Sequence, residues 1–175
     1  MDTTGMVKVF FKLDPTDWHR LHFELLWAEP VKGSEGRDLF VLQNSPFYTR
    51  EVSYLDIVRA VVGESRDANA IGPPTLRKLD FAGLIDPSGH STYRFIVQDR
   101  NDAAFQSYWK RLSDLGCTYE SGQVRQGVLY SVDVPRTTDI GAVDAIMREG
   151  EKNGIWVYEE GRIVHRIRGQ DIIRP

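Results

Sequence analysis

Leu129-Tyr130-Ser131-Val132-Asp133-Val134 reads as a strand, and within a few residues the chain changes period. Tyr130, Val132 and Val134 lie on one face of that strand, interleaved with Leu129, Ser131 and Asp133. Beyond Pro135, Ile140, Val143, Ile146 and Met147 recur at helical spacing behind a cap at Thr138 or Asp139. Outward from this switch the pattern repeats. Phe105, Tyr108, Trp109, Leu112 and Leu115 form an earlier apolar stripe between Asp102 and Gly116. Tyr93–Gln98 precedes it as a strand, and Ile155–Tyr158 follows the second helix after Gly154. The order is strand, helix, strand, strand, helix, strand, the βαββαβ pattern of a ferredoxin-like unit. Both helical stripes are expected on one face of the sheet.

Before about residue 100 the rhythm differs. Val7–Leu13 is an apolar strand stopped by Asp14-Pro15. His22–Ala28 places Phe23, Leu25 and Trp27 on one strand face. Asp38–Gln43 follows a Gly-containing turn and makes a hairpin with it. Asn44-Ser45-Pro46-Phe47-Tyr48 breaks the sheet and presents two rings in a constrained turn. Val52–Val58 reads as a turn feeding a strand, with Ser53 and Asp56 bonding to turn amides. Gly63–Pro74 reads as a mobile loop. Lys78–Ile85 and Ser91–Gln98 flank a strong turn and suggest a further hairpin. The expected fold is α+β: a small antiparallel β-barrel-like unit over residues 1–76 and a ferredoxin-like unit over 77–175.

Composition narrows the function classes. The 175 residues are 41% hydrophobic, carry 22 Lys and Arg against 25 Asp and Glu, and have a net charge of -3. No global attraction to nucleic acid or an anionic membrane follows. Arg162, Arg166 and Arg168 could make a local basic patch. The single cysteine, Cys117, reads as a reduced core thiol. The start of the chain lacks the pattern of a secretory signal, and no apolar run is long enough for a membrane helix, so a cytoplasmic location is expected.

Four blocks resemble a known family: Glu24-Leu25-Leu26-Trp27-Ala28, Asn44-Ser45-Pro46-Phe47-Tyr48, Val52-Ser53-Tyr54-Leu55-Asp56-Ile57-Val58, and Ser88-Gly89-His90-Ser91-Thr92-Tyr93-Arg94. Together they look like the bacterial family catalogued as domain of unknown function 4265, over roughly residues 7–97. The resemblance implies a small cytoplasmic bacterial protein and carries no activity, cofactor or catalytic residue.

Glu24, Trp27, Asn44, Phe47, Asp56, His90, Ser91, Thr92 and Arg94 have the residue types of a ligand or peptide surface. Within this set, Asn44, Phe47, Asp56, His90 and Arg94 are the expected ligand-binding residues. Turn chemistry and core packing explain many of them equally well. His90 and Ser91 are neighbours on a strand and do not face each other. His19 and His22, near Glu24, fall short of the three or four ligands a metal needs. Tyr93, Phe95, Tyr130, Trp156 and Tyr158 would serve base stacking only if exposed. No catalytic, metal or cofactor set assembles. The expected function is non-enzymatic binding, of a regulatory, accessory or immunity type, to a protein, peptide or small ligand. The alternative is an enzyme acting on a small polar substrate at the junction of the units, with His90 as acid or base and Arg94 as anion binder. Oligomeric state is not legible.

Overall fold

A computed structural model describes residues 5–33, 36, 38–63, 78–97 and 103–165. The loop expected over 63–74 lies, apart from Gly63, outside the described residues, as do Arg166 and Arg168. The chain divides into two compact units, Met1–Ser88 and Gly89–Pro175.

The first unit is a closed five-stranded barrel of β1 (Val7–Lys12), β2 (Phe23–Pro30), β3 (Leu39–Leu42), β4 (Ile57–Val61) and β5 (Lys78–Asp86). Consecutive strands pair antiparallel, and β1 closes the barrel on β5 in parallel. Register shifts between β4 and β5 supply the bend that closure needs. Strand alternation sends Val7, Val9, Phe11, Leu26, Ala28, Phe40, Leu42, Val58, Ala60 and Leu79 inward.

Phe23, Leu25 and Trp27 share one face of β2, as expected; it is the half-buried face, and Glu24, Leu26 and Ala28 form the buried one. Small Ala28 and Leu26 fit the narrow interior; the bulky rings pack outside, with Phe10 stacked on Phe23 and the Lys8 ammonium over Trp27. The hairpin expected between Lys78–Ile85 and Ser91–Gln98 does not form. β5 pairs with β1 and β4, so the first unit extends to Ser88, and the following strand belongs to another sheet.

The second unit is a four-stranded antiparallel sheet with two helices. Its elements are β6 (Ser91–Val97), α1 (Ala103–Asp114), β7 (Thr118–Val124), β8 (Gly127–Val134), α2 (Ile140–Lys152) and β9 (Val157–Glu160), with sheet order β7-β8-β6-β9. Asp139 caps α2, accepting from the N–H groups of Gly141 and Ala142. Phe105 and Leu112 of α1 and Ile140, Val143, Ile146 and Met147 of α2 share one core with Tyr93, Phe95, Val97, Tyr130, Val132 and Val134. Both helical stripes therefore cover the same sheet face. Tyr108 and Trp109 are only partly buried against it. β8 is buried on both faces, since Leu129, Ser131 and Asp133 are as enclosed as their neighbours.

The aromatic residues of the sheet are core. Tyr93, Phe95, Tyr130 and Trp156 are buried, and Phe95 stacks on both Tyr130 and Trp156. These four rings present no open face on which a base could stack. Among the described residues, no helix is long and apolar enough to cross a membrane.

Candidate functional site

The expected ligand-binding residues fall into two groups. Asn44, Phe47 and Asp56 belong to the first unit, and His90 and Arg94 belong to the second.

In the first unit, buried polar side chains hold irregular backbone in place. The Asn44 side-chain oxygen accepts the Trp27 N–H at 2.6 Å. Glu24, on the inner face of β2, accepts the N–H groups of Phe47 at 2.6 Å, Tyr48 at 3.1 Å and Thr49 at 2.9 Å. The Pro46 turn cannot satisfy these donors by sheet pairing, so a carboxylate aimed at successive N–H groups does so. Asp56 accepts from the Ser53 N–H at 2.8 Å and from both the N–H and the hydroxyl of Ser88. Asn44 and Asp56 are thus buried anchors. The Ser53 hydroxyl, expected to bond to a turn amide, is buried and has no partner among the described residues.

Phe47 and Tyr48 are half-buried on the loop so held. Beside them lies the β1–β2 connection. There Asp14 accepts from the Thr16 N–H and hydroxyl, and Asp17 accepts from the Trp18 N–H, so a tight turn lifts Trp18 to the surface at 38% exposure. The Tyr48 ring sits 5.0 Å from His19 and 6.0 Å from Trp18, and Phe47 lies 6.3 Å from Tyr48. His19 accepts the Leu21 N–H through Nδ1, which fixes its ring. Sequence reasoning passed over Trp18 and His19 as cluster members. The signal was an indole inside an otherwise polar turn, where no core-facing period calls for one.

In the second unit, His90 lies just before β6. Its Nδ1 lies 2.9 and 3.0 Å from the two oxygens of buried Asp133. Burial raises the Asp133 pKa, and the hydrogen bond and charge of His90 oppose that shift. Arg94, 1% exposed, donates to Glu159 at 3.0 Å across β6 and β9. Asp133, Arg94 and Glu159 share the sheet face opposite the helices, by strand parity and register.

Ser91 meets a histidine other than its neighbour. Its hydroxyl is 2.6 Å from Nδ1 of His165, whose Nε2 lies 2.9 Å from the Pro135 carbonyl. A carbonyl only accepts, so Nε2 carries the proton and Nδ1 accepts from Ser91. The same serine oxygen accepts the N–H groups of Val164 and His165. Ser91 is fully buried, and its hydrogen-bonding capacity is used in clasping the segment after β9. Cys117 is equally enclosed, and burial pushes its thiol pKa up to about 12. Thiolate chemistry at neutral pH is therefore suppressed. Among the described residues, His90 and Asp133 form a close histidine–carboxylate pair with acid–base geometry.

Residues 24–158 match the family described as a domain of unknown function (DUF4265), and the chain belongs to that family. The match extends past the four blocks into the second helix and last strand. A solved structure described as a novel crystal structure of a hypothetical protein from Neisseria gonorrhoeae is similar, with 18% identity and a TM-score of 0.64. The likeness covers 93% of this chain and 96% of that one, and at this identity it concerns the fold alone. No curated protein matches the chain.

Proposed function

We propose that this protein is a non-enzymatic binding protein whose contact surface is the aromatic cluster of Trp18, Phe47 and Tyr48, packed over the buried His19 ring and engaging a protein or peptide. The observation that carries this reading is the Glu24 carboxylate, which pins three successive N–H groups of the loop bearing Phe47 and Tyr48. Aromatic rings on a loop already ordered lose little entropy on contact and give large apolar area. A rigid barrel displaying such a loop suits recognition. A cytoplasmic location goes with this reading, supported by a lone cysteine that forms no disulfide. The second unit is read as ferredoxin-like; its support is the order β7-β8-β6-β9 with antiparallel pairing throughout and a helix in each crossover.

A second reading is an enzyme acting on a small polar substrate with His90 as acid or base. The favouring observation is the 2.9 Å contact with Asp133, which orients the imidazole. One set of variants separates the two. Partners captured from a lysate of the native cell are identified, and their affinity for wild type, Trp18→Ala, Phe47→Ala and His90→Gln is measured by calorimetry. Binding through the cluster predicts losses of about 1–3 kcal/mol for each aromatic variant and little change for His90→Gln. Unchanged affinity in both aromatic variants, with thermal stability retained, rejects this surface. Turnover of a polar metabolite that vanishes in His90→Gln selects the enzyme.

A further inference from the structure

We infer that β7 is a self-association edge, along which a second copy of this chain continues the four-stranded sheet. The two edges of the sheet are β7 and β9, and they differ. Backbone directions follow from β6. The Thr92 N–H donates to the Arg162 carbonyl at 2.8 Å, and the Thr92 carbonyl accepts from the Gly161 N–H at 2.9 Å. Even-numbered residues of β6 therefore aim their backbone groups toward the β9 side, and odd-numbered ones toward β8. Phe95 pairs with Tyr130, so even-numbered β8 residues turn to β6 and odd-numbered ones to β7. Ser131 pairs with Glu120 and Leu129 with Gly122. The backbone groups of Tyr119, Ser121 and Gln123 consequently point out of the sheet, and among the described residues no strand pairs with them.

The other edge is shorter and partly capped. On β9 the outward residues are Tyr158 and Glu160, and the Tyr158 N–H donates to the Glu151 carboxylate at 3.3 Å. β9 has 4 residues, whereas β7 has 7. Edges are commonly protected by Lys, Pro, bulges or shortness. Thr118-Tyr119-Glu120-Ser121-Gly122-Gln123-Val124 has no Lys and no Pro, and its register with β8 runs without a shift.

The edge is also complementary to itself, which selects a second copy as its occupant. Two copies laid antiparallel with Ser121 opposite Ser121 place Tyr119 opposite Gln123 and Glu120 opposite Gly122. Every outward backbone group then meets an outward group of the partner. The one charged side chain of each strand faces a glycine instead of a like charge. The two-fold axis through Ser121 closes the contact as a dimer.

Sedimentation equilibrium of the full chain, up to about 100 µM, tests this. Wild type is expected to be dimeric. Ser121→Pro should be monomeric with an unchanged circular dichroism spectrum, because the N–H it removes points away from β8. Ser121→Lys keeps that N–H but sets like charges face to face on the axis; its dimer dissociation constant should rise about tenfold or more and fall again with added salt. Ser121→Lys decides the matter should the proline variant misfold. A wild type that stays monomeric over the whole range overturns the inference. So does an assembly that survives Ser121→Lys unchanged.

Discussion

The carboxylate of Glu24 accepts the backbone N–H of Phe47 at 2.6 Å, from 23 residues away in the chain. One acidic side chain in the barrel wall thereby sets the path of the Pro46 turn. Glu24→Ala leaves the N–H groups of Phe47, Tyr48 and Thr49 without this acceptor. It should destabilise the fold by about 2–4 kcal/mol. Glu24→Gln retains one acceptor oxygen and should cost less. Urea unfolding measures both, and amide exchange at residues 47–49 should accelerate in Glu24→Ala. A Glu24→Ala protein as stable as wild type would show that the loop is held by something else.

Gly150 reverses the usual helix rule. Alanine in place of glycine inside a helix ordinarily gains about 1 kcal/mol. Here a Cβ would land on the indole of Trp156, which is buried, stacked on Phe95, and bonded through Nε1 to the Met147 carbonyl at 3.0 Å. Gly150→Ala should therefore destabilise by about 1–3 kcal/mol. A gain in thermal stability would mean that the indole can move aside.

Cys117 adds a pH dependence on the alkaline side. Its folded pKa, about 12, lies above the ordinary 9.0. Between those values the native state holds a proton that the unfolded chain releases. Its contribution is fully present below pH 9 and is lost as pH rises toward 12, by at most about 1.4 kcal/mol per pH unit. Tyr93, also pushed up by burial, acts in the same direction at higher pH. The comparison of wild type with Cys117→Ala isolates the thiol. Their difference in unfolding free energy should shrink between about pH 8 and about pH 10.5. A constant difference would place the thiol in contact with water.

The two helices and their shared sheet face were legible because periodicity reports burial directly. Ile140, Val143, Ile146 and Met147 repeat at the spacing of one helix face, and all four are buried. The same local rule offered Thr138 or Asp139 as the cap, and the structure selects Asp139. Strand order resisted reading, because pairing is a long-range choice. Lys78–Asp86 is followed by a turn that suits a hairpin, yet its partners are β1 and β4. Closing the barrel satisfies two edges at once, which a local hairpin with β6 would leave open.

The candidate residues divide along the same line. By itself the sequence determined both helices, most of the strands, the enclosed character of Cys117 and the family blocks, because each rests on neighbours a few positions apart; the strand Thr118–Val124, mostly polar, was not placed. Only the tertiary structure decided what the polar residues touch. Glu24 reaches the Phe47 loop, Asp56 reaches Ser88, Ser91 meets His165 in place of His90, and Arg94 meets Glu159. A hydrogen bond needs two atoms within about 3 Å, and residues tens of positions apart come that close only through the path of the folded chain.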